Sequence, residues 1–237
     1  MKSLANIMLS YMDRINDTAS LHPVPKIEMK KDNSPVTELD LALSQLVEEI
    51  QKAHFSDHIF YSEENFSEWG FPLLALDPLD GTREYIDGRP EWAMSLGLFQ
   101  DAQFKGEGWV YNPKSGECFS EAEPRPFSDK DQFQGEVSRS EWKSGLFTNY
   151  ESTKFQIKPM GSIAYKLGRL SQGKIDFVVS LWPKSIWDIA GGTLLCQAAG
   201  LKFYAGGKLV TKVEKKYQPP LIWCREEIFS ELSSAFA

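Results

Sequence analysis

The stretch that most restricts this chain is Leu73-Leu74-Ala75-Leu76 running into Asp77-Pro78-Leu79-Asp80-Gly81-Thr82. Four apolar residues in a row read as a buried strand. Pro78 and Gly81 then predict a turn of the backbone. The strand thus ends with two carboxylates, Asp77 and Asp80, on one tight loop. Anions held that close repel, and one stays protonated unless a cation sits between them. Hard cations such as Mg²⁺ take this kind of oxygen ligand. Thr82 is a favoured N-cap residue, which predicts a helix opening here with free N–H groups for an anion. A metal beside an anion implies metal-assisted phosphate chemistry. An acidic surface turn would use the same residues, so the rest of the chain must decide.

Three other segments bring acids toward that loop. His58-Ile59-Phe60-Tyr61 predicts a strand that ends at Ser62-Glu63-Glu64. If it lies beside the strand at 73–76, Glu63 joins Asp77 and Asp80. Thr37 with Asp40 resembles a capping box. It opens a helix with Leu39, Leu43, Leu46, Val47 and Ile50 on one stripe, and it leaves Asp40 at the positive helix end. In the second half, Trp187-Asp188-Ile189-Ala190-Gly191-Gly192 opens a helix whose small residues permit close backbone approach. A plain capping role would also account for Asp40 and for Asp188.

The remaining pattern predicts two subdomains. Leu4, Ile7, Met8, Leu9, Met12 and Ile15 predict one amphipathic first helix. Strands at 93–99, 108–111 and 117–120 form an antiparallel meander. The polar stretch 121–135, with Pro124 and Pro126, separates an α+β unit (1–135) from an α/β unit (136–237). In the latter, Val137-Ser138 predicts a short strand, and Gly161-Ser162 precedes a helix that Gly173 ends. A strand at 175–179, a hairpin around Ala205-Gly206-Gly207, a strand at 221–224 and a helix at 228–236 complete it. A cleft between the units is the expected site.

Bulk properties exclude several classes. The net charge is −7 and Lys30-Lys31 and Lys215-Lys216 are merely pairs, so no nucleic acid polymer is expected. Cys118, Cys196 and Cys224 are odd in number and far apart, which points to a reducing compartment. Met1 to Asn16 has no unbroken apolar core and no run is long enough to span a bilayer, so a cytoplasmic protein without membrane contact is expected. There is no Gly-x-Ser-x-Gly elbow, Walker A loop or Gly-x-Gly-x-x-Gly loop. His22, His54 and His58 adjoin no nucleophile motif. Lys166 and Lys184 are candidates to reach a substrate phosphate, although surface lysines are ordinarily just solvated.

Taken together, Glu63-Glu64, Asp77-Pro78-Leu79-Asp80-Gly81-Thr82 and Trp187-Asp188-Ile189-Ala190-Gly191 resemble, in order and spacing, the signatures of the inositol monophosphatase superfamily. Val36-Thr37 with Asp40, and Gly161-Ser162, also fit. The resemblance implies the layered αβαβα sugar-phosphatase sandwich and a Mg²⁺-dependent, lithium-sensitive phosphomonoesterase. It implies Glu63, Asp77, Asp80, Asp188 and the Leu79 carbonyl as ligands for two or three Mg²⁺. It gives catalytic roles to Asp40 and Thr82, which help orient the attacking water, with Glu63 assisting. Substrate-side residues by the same resemblance are Glu63, Leu79, Asp80, Gly81, Thr82, Gly161, Ser162, Lys184 and Asp188. The resemblance also implies the N–H groups of Gly81 and Thr82 as the phosphate cradle.

The runs Asp32-Asn33-Ser34-Pro35-Val36-Thr37, Asp77 through Tyr85 and Val137-Ser138-Arg139-Ser140 look closer to the 3′(2′),5′-bisphosphate nucleotidase branch. That branch implies hydrolysis of adenosine 3′,5′-bisphosphate. Two departures stand against a simple choice of branch. Glu141 takes a place where the nucleotidases often have His, and residues 178–184 offer no counterpart of the glutamate that contacts inositol. An inositol-1-phosphatase or related sugar phosphatase, and a catalytically silent phosphate-binding protein, are the alternatives. The expected partner is a small phosphorylated substrate, and the resemblance also implies a homodimer as the assembly to look for.

Overall fold

The computed structural model describes residues 3–23, 25–30, 34–65 and 68–236. Lys31, and Asp32 and Asn33 of the nucleotidase-like run, lie outside the described residues. The chain begins with α1 (Leu4–Ser10) and α2 (Met12–Leu21) rather than one helix. The break is at Tyr11, whose φ of −108° and ψ of 6° leave helical geometry while its N–H turns back to the carbonyls of Met8 and Leu9. A short hairpin of β1 (Ile27–Met29) and β2 (Pro35–Thr37) leads into α3 (Glu38–His54). Then follow β3 (Ile59–Ser62), β4 (Leu73–Asp80), α4 (Thr82–Ile86), β5 (Ala93–Phe99), β6 (Gly106–Asn112) and β7 (Glu117–Phe119). These five strands form a sheet in the order β3-β4-β5-β6-β7, parallel at β3/β4 and antiparallel elsewhere.

The second sheet starts with β8 (Phe133–Ser138), which straddles residue 135. It is followed by α5 (Arg139–Lys143), β9 (Phe155–Met160), α6 (Ile163–Ser171), β10 (Phe177–Ser180), β11 (Lys184–Ser185) and α7 (Ile186–Ala198). The chain closes with β12 (Lys202–Ala205), β13 (Lys208–Leu209), β14 (Lys216–Tyr217), β15 (Leu221–Cys224) and α8 (Glu226–Ala235). The six-stranded order is β13-β12-β15-β10-β8-β9. Strand β9 has no sequence counterpart among the expectations. It carries Pro159, and its place at the sheet edge is where a missing N–H is tolerated.

The apolar run at 73–76 explains the stacking, because successive residues face opposite ways. Leu74 and Leu76 pack with Leu4, Leu43 and Val47 of the outer helices. Leu73 and Ala75 pack with Leu167 of α6, Ile189 of α7 and Val178, Phe203 and Trp223 of the second sheet. The far face of that sheet, including Val179 and Ile222, is covered by Ile228 and Leu232 of α8. The result is a five-layered αβαβα sandwich, and a strand covered on both faces needs no polar alternation. Helix α7 lies against the first sheet with almost no clearance. A Cβ on Gly191 would sit 2.6 Å from the Leu96 carbonyl oxygen and 2.7 Å from that of Trp109. Glycine there lets the helix carry Asp188 up to the end of β4.

Candidate active site

Strand β4 does not turn at Pro78 as its sequence predicts. Pairing with β5 continues through a bulge, Asp77 opposite Ser95 and Asp80 opposite Ala93, so three steps along β4 match two along β5. The extra residue re-aims the strand end. The turn comes at Gly81, with φ 99°, which is also the N-cap of α4, so Thr82 is the first helical residue and not the cap. A side chain at Gly81 would be strained and would meet the Glu91 carbonyl at 2.9 Å.

This geometry brings Asp77 and Asp80 together with Asp188, each offering one oxygen within 4.8 Å of the others. Asp77 is buried, and one of its oxygens accepts the Leu79 N–H at 2.9 Å. Asp188 is the third residue of α7 and forms a capping box with Ser185, whose N–H it accepts at 2.7 Å. Capping and convergence on β4 thus coexist in one side chain. Asp80 is held by the second half of the chain: one oxygen accepts the Ser162 hydroxyl and the Ala164 N–H, both at 2.6 Å. Burial drives Asp77 well above the ordinary carboxylate range, and the charges of Glu63, Asp80 and Asp188 add to it. Burial likewise lifts Asp188 to about 6, against the pull of Lys184. Three oxygen donors that cannot all ionise without a counter-charge fit Mg²⁺.

Strands β3 and β4 are parallel neighbours, with Ser62 opposite Leu76 and the Glu63 N–H bonded to the Leu76 carbonyl at 3.1 Å. Glu63 therefore emerges beside Asp77. Its carboxylate is not in the inner cluster, because Lys30 holds it: the ammonium donates to Glu63 and to Glu64, each at 2.7 Å. Burial, with the charges of Asp188 and Glu64, raises Glu63 to about 7 despite that lysine. Burial opposes the charge on Lys30, but the two glutamates outweigh it and raise its pKa.

Asp40 and Thr82 meet across the cleft floor. The Thr82 hydroxyl lies 3.3 Å from Asp40 Oδ1 and 3.1 Å from the Leu79 carbonyl oxygen. The other Asp40 oxygen accepts the N–H of Thr37 at 2.8 Å and its hydroxyl at 2.5 Å, which is the capping box read from the sequence. Burial raises Asp40 to about 6 even so.

A pocket of about 310 Å³ opens over these groups, lined by Glu63, Asp80, Gly81, Thr82, Gly161, Ser162, Lys184 and Asp188, with Arg83, Ser138 and Ser140 on its walls. Larger hollows exist elsewhere, but none contains a comparable acid cluster among the described residues. Lys166 does not reach the pocket. It is 1% exposed and its ammonium donates to the carbonyls of Met160, Gly161 and Ser162 at 3.1, 3.3 and 2.9 Å. Burial lowers its pKa to about 8. Its work is to hold the bend at Ser162, where φ is 52°, and so to present the Ser162 hydroxyl to Asp80. Glu141 is also an internal anchor, accepting the Ser180 hydroxyl and the N–H groups of Leu181 and Trp182. The spacing of His54 and His58 suits a metal pair. However, α3 ends at His54, which pairs with Tyr11, while His58 pairs with Asp57 and Gln100.

Two groups near the site escape a reading of the sequence. Lys30 gave only the signal of a polar turn. Arg139, inside a quoted motif, spans the two halves by pairing with Glu84 at 3.5 Å and with Glu91.

Comparison with known proteins bears on the family and the fold. The family model described as "Inositol monophosphatase family" matches residues 5–223. The fructose-1,6-bisphosphatase/inositol-1-monophosphatase of Thermotoga maritima is 28% identical over 179 residues, 70% of this chain and 69% of that protein. The 3′(2′),5′-bisphosphate nucleotidase CysQ of Salmonella typhimurium is 25% identical over 189 residues, 72% of this chain and 76% of its own. Among solved structures, a Thermotoga maritima IMPase superposes with a TM-score of 0.81 at 24% identity, covering 98% of this chain and 95% of that one. An IMPase/NADP phosphatase complexed with Mg²⁺ and phosphate superposes with a TM-score of 0.74 at 17% identity, covering 97% and 93%. The chain belongs to the inositol monophosphatase family and is a phosphatase that hydrolyses phosphate monoesters.

Proposed function

We propose that this protein is a Mg²⁺-dependent, lithium-sensitive phosphatase of a small bisphosphorylated metabolite, with adenosine 3′,5′-bisphosphate as the leading substrate. The observation that carries the reading is the convergence of Asp77, Asp80 and Asp188 beside a pocket that Asp80 and Asp188 line together with Arg83 and Lys184. Asp77, Asp80, Asp188, Glu63 and the Leu79 carbonyl would hold two or three Mg²⁺. Bound there, the metal supplies Lewis acidity: it lowers the pKa of water and offsets charge on the phosphoryl oxygens. Asp40 takes the Thr82 hydroxyl proton in a hydrogen bond, which leaves the threonine lone pairs to accept from a water entering the cleft. Glu63 assists in taking that water's proton. The N–H groups of Gly81 and Thr82 cradle the phosphoryl group as its bond to the ester oxygen breaks in line with the new bond to the water oxygen, and the departing alkoxide takes a proton from solvent.

Arg83 and Lys184 support the second phosphate. Both line the pocket, and neither is held in a salt bridge with another described residue. A pocket for a monophosphate of a neutral polyol has less use for two spare cations. The relatives keep a second reading open, since the Thermotoga maritima protein is named for fructose 1,6-bisphosphate as well as inositol 1-phosphate. Phosphate release from adenosine 3′,5′-bisphosphate, fructose 1,6-bisphosphate and inositol 1-phosphate, with Mg²⁺ and with added Li⁺, decides between them. The reading expects the nucleotide to give the highest kcat/KM; faster turnover of inositol 1-phosphate would replace it with the inositol assignment.

A further inference from the structure

One wall of the pocket is assembled from two segments that leave adjacent strands. Strands β8 and β10 are parallel neighbours, with Val137 opposite Val179, so both chains leave the sheet at the same level. From β8 comes Ser138-Arg139-Ser140-Glu141, which starts α5; from β10 comes Leu181-Trp182-Pro183, which leads to Lys184. Ser138, Ser140 and Lys184 line the pocket. Ser-x-x-Glu is the sequence of a capping box, in which the glutamate turns back to the N-cap. Here Ser138 is the N-cap but makes no side-chain cap bond, and its hydroxyl lies 3.0 Å from that of Ser140. Glu141, fully buried, sends its carboxylate across to the other segment instead. One oxygen accepts the Ser180 hydroxyl at 2.6 Å and the Trp182 N–H at 3.3 Å, and the other accepts the Leu181 N–H at 2.7 Å. A buried carboxylate must be hydrogen-bonded, and all three bonds go to consecutive residues of one loop. The far end of that loop is pinned separately. Lys184 and Ser185 pair with Tyr217 and Lys216 of β14, and the Ile186 N–H bonds to the Lys215 carbonyl at 3.0 Å. Pro183, between the two anchors, has no N–H to offer.

We propose that Glu141 is a positioning residue for substrate choice: it joins the two segments into one wall and so fixes where Lys184 meets the second phosphate of a bisphosphate. This rests on the reading of Lys184 as the contact to that phosphate. Glu141 itself touches no substrate. With its bonds made, Leu181 and Trp182 are held against α5, and the loop that carries Lys184 loses little freedom when the phosphate binds. Without them, two backbone N–H groups and a hydroxyl are left buried and unpaired, and the loop shifts to reach water. Lys184 then meets the phosphate from a spread of positions. A monophosphate has no group for Lys184 to meet and is indifferent to the loop.

Steady-state phosphate release from adenosine 3′,5′-bisphosphate and from adenosine 3′-phosphate, at saturating Mg²⁺, tests this with wild type, Glu141→Gln, Lys184→Gln and the double variant, each with its melting curve. Glu141→Gln keeps the shape of the side chain but turns one acceptor oxygen into a donor that faces the donors of the loop. It should raise KM for the bisphosphate about fivefold, short of losing a whole charge-assisted contact, with kcat within about twofold and KM for the monophosphate unmoved. In the Lys184→Gln background it should add nothing, because Glu141 acts only through the lysine. Where Glu141→Gln does not fold, Ser180→Ala, which gives up one of the three bonds, carries the same comparison at about twofold. Equal rises for both substrates, no rise for the bisphosphate where Lys184→Gln gives one, or an equal effect with and without the lysine overturns the proposal alone. A Lys184→Gln variant that turns over both substrates as wild type does overturns the second-phosphate reading, and the proposal with it.

Discussion

The inner and outer acids of this cleft are neutralised in different ways. Asp77, Asp80 and Asp188 lie within 4.8 Å of each other, and no described lysine or arginine forms a salt bridge with any of them. Glu63 and Glu64 share Lys30. The inner group sits at the meeting of β4 and α7, fixed by a strand bulge, a helix cap and the Ser162 clamp. The outer group sits where a short hairpin touches the end of β3. Rigid elements thus hold the acids that no described lysine or arginine pairs with, and a short hairpin supplies the lysine that pairs with the outer two. A site built this way stores repulsion in its fixed part and relieves it by binding metal.

The largest expected effect breaks the inner group. Asp77→Asn should lower phosphate release by about a thousandfold or more, the several kcal/mol a catalytic metal supplies. It should leave metal-free stability unchanged or raise it by about 1 kcal/mol, a few degrees in melting temperature, because one buried like charge is gone. Mg²⁺ should then no longer raise the melting temperature. Stability assays in chelator and in Mg²⁺, beside the phosphate assay, read all three outcomes.

Next in size is the pH dependence of the metal-free protein. Asp40 and Asp188 rise to about 6 and Glu63 to about 7 on folding, so the folded state binds more protons than the unfolded chain above about pH 4. Their contribution to stability is complete below their unfolded values, falls from about pH 4 and is fully lost once pH has risen through 6 to 7. Raising Asp188 from 3.8 to about 6 corresponds to about 3 kcal/mol. Urea melts in chelator at pH 5 and pH 8 should show about half of that loss, the rest falling mostly between pH 4 and pH 5, and Asp188→Asn should flatten it. In Mg²⁺ the trend should reverse, because the metal competes with these protons.

Glu63→Gln tests the outer group. It should slow turnover by about a hundredfold, the size of a general-base contribution, while the Mg²⁺ requirement persists through the inner cluster. Loss of all Mg²⁺ stimulation would merge the two groups into one. The smallest effect concerns the wall. Lys184→Gln should raise KM for a bisphosphate by about tenfold with little change in kcat, one charge-assisted contact, and should spare a monophosphate substrate. An equal change for both substrates would remove the second-phosphate argument.

Much of this site was legible from residue order. The run at 73–76 announced a buried strand ending in acids, and Thr37 with Asp40 announced a helix start, because both signals are local. The single first helix failed at Tyr11, and the turn at Pro78 became a bulge, because pairing with β5 decides how the chain passes a proline. Lys166 was misread for a reason of context: three carbonyls around Ser162 make a buried ammonium affordable, and nothing near it in the sequence says so. Lys30 was passed over because its partners lie more than thirty residues away. The substrate wall is the least legible part, since Arg83, Ser138, Ser140 and Lys184 come together only through the layering of two sheets.

The account stands most directly on one titration: phosphate release from adenosine 3′,5′-bisphosphate by wild type and Asp188→Asn as Mg²⁺ is raised from none to excess. Wild type should be inactive in chelator and saturate with Mg²⁺, and the variant, folded by its melting curve, should stay inactive at every Mg²⁺ concentration. Turnover in chelator, or a variant with the wild-type Mg²⁺ response, would contradict a reaction run by the Asp77, Asp80 and Asp188 cluster.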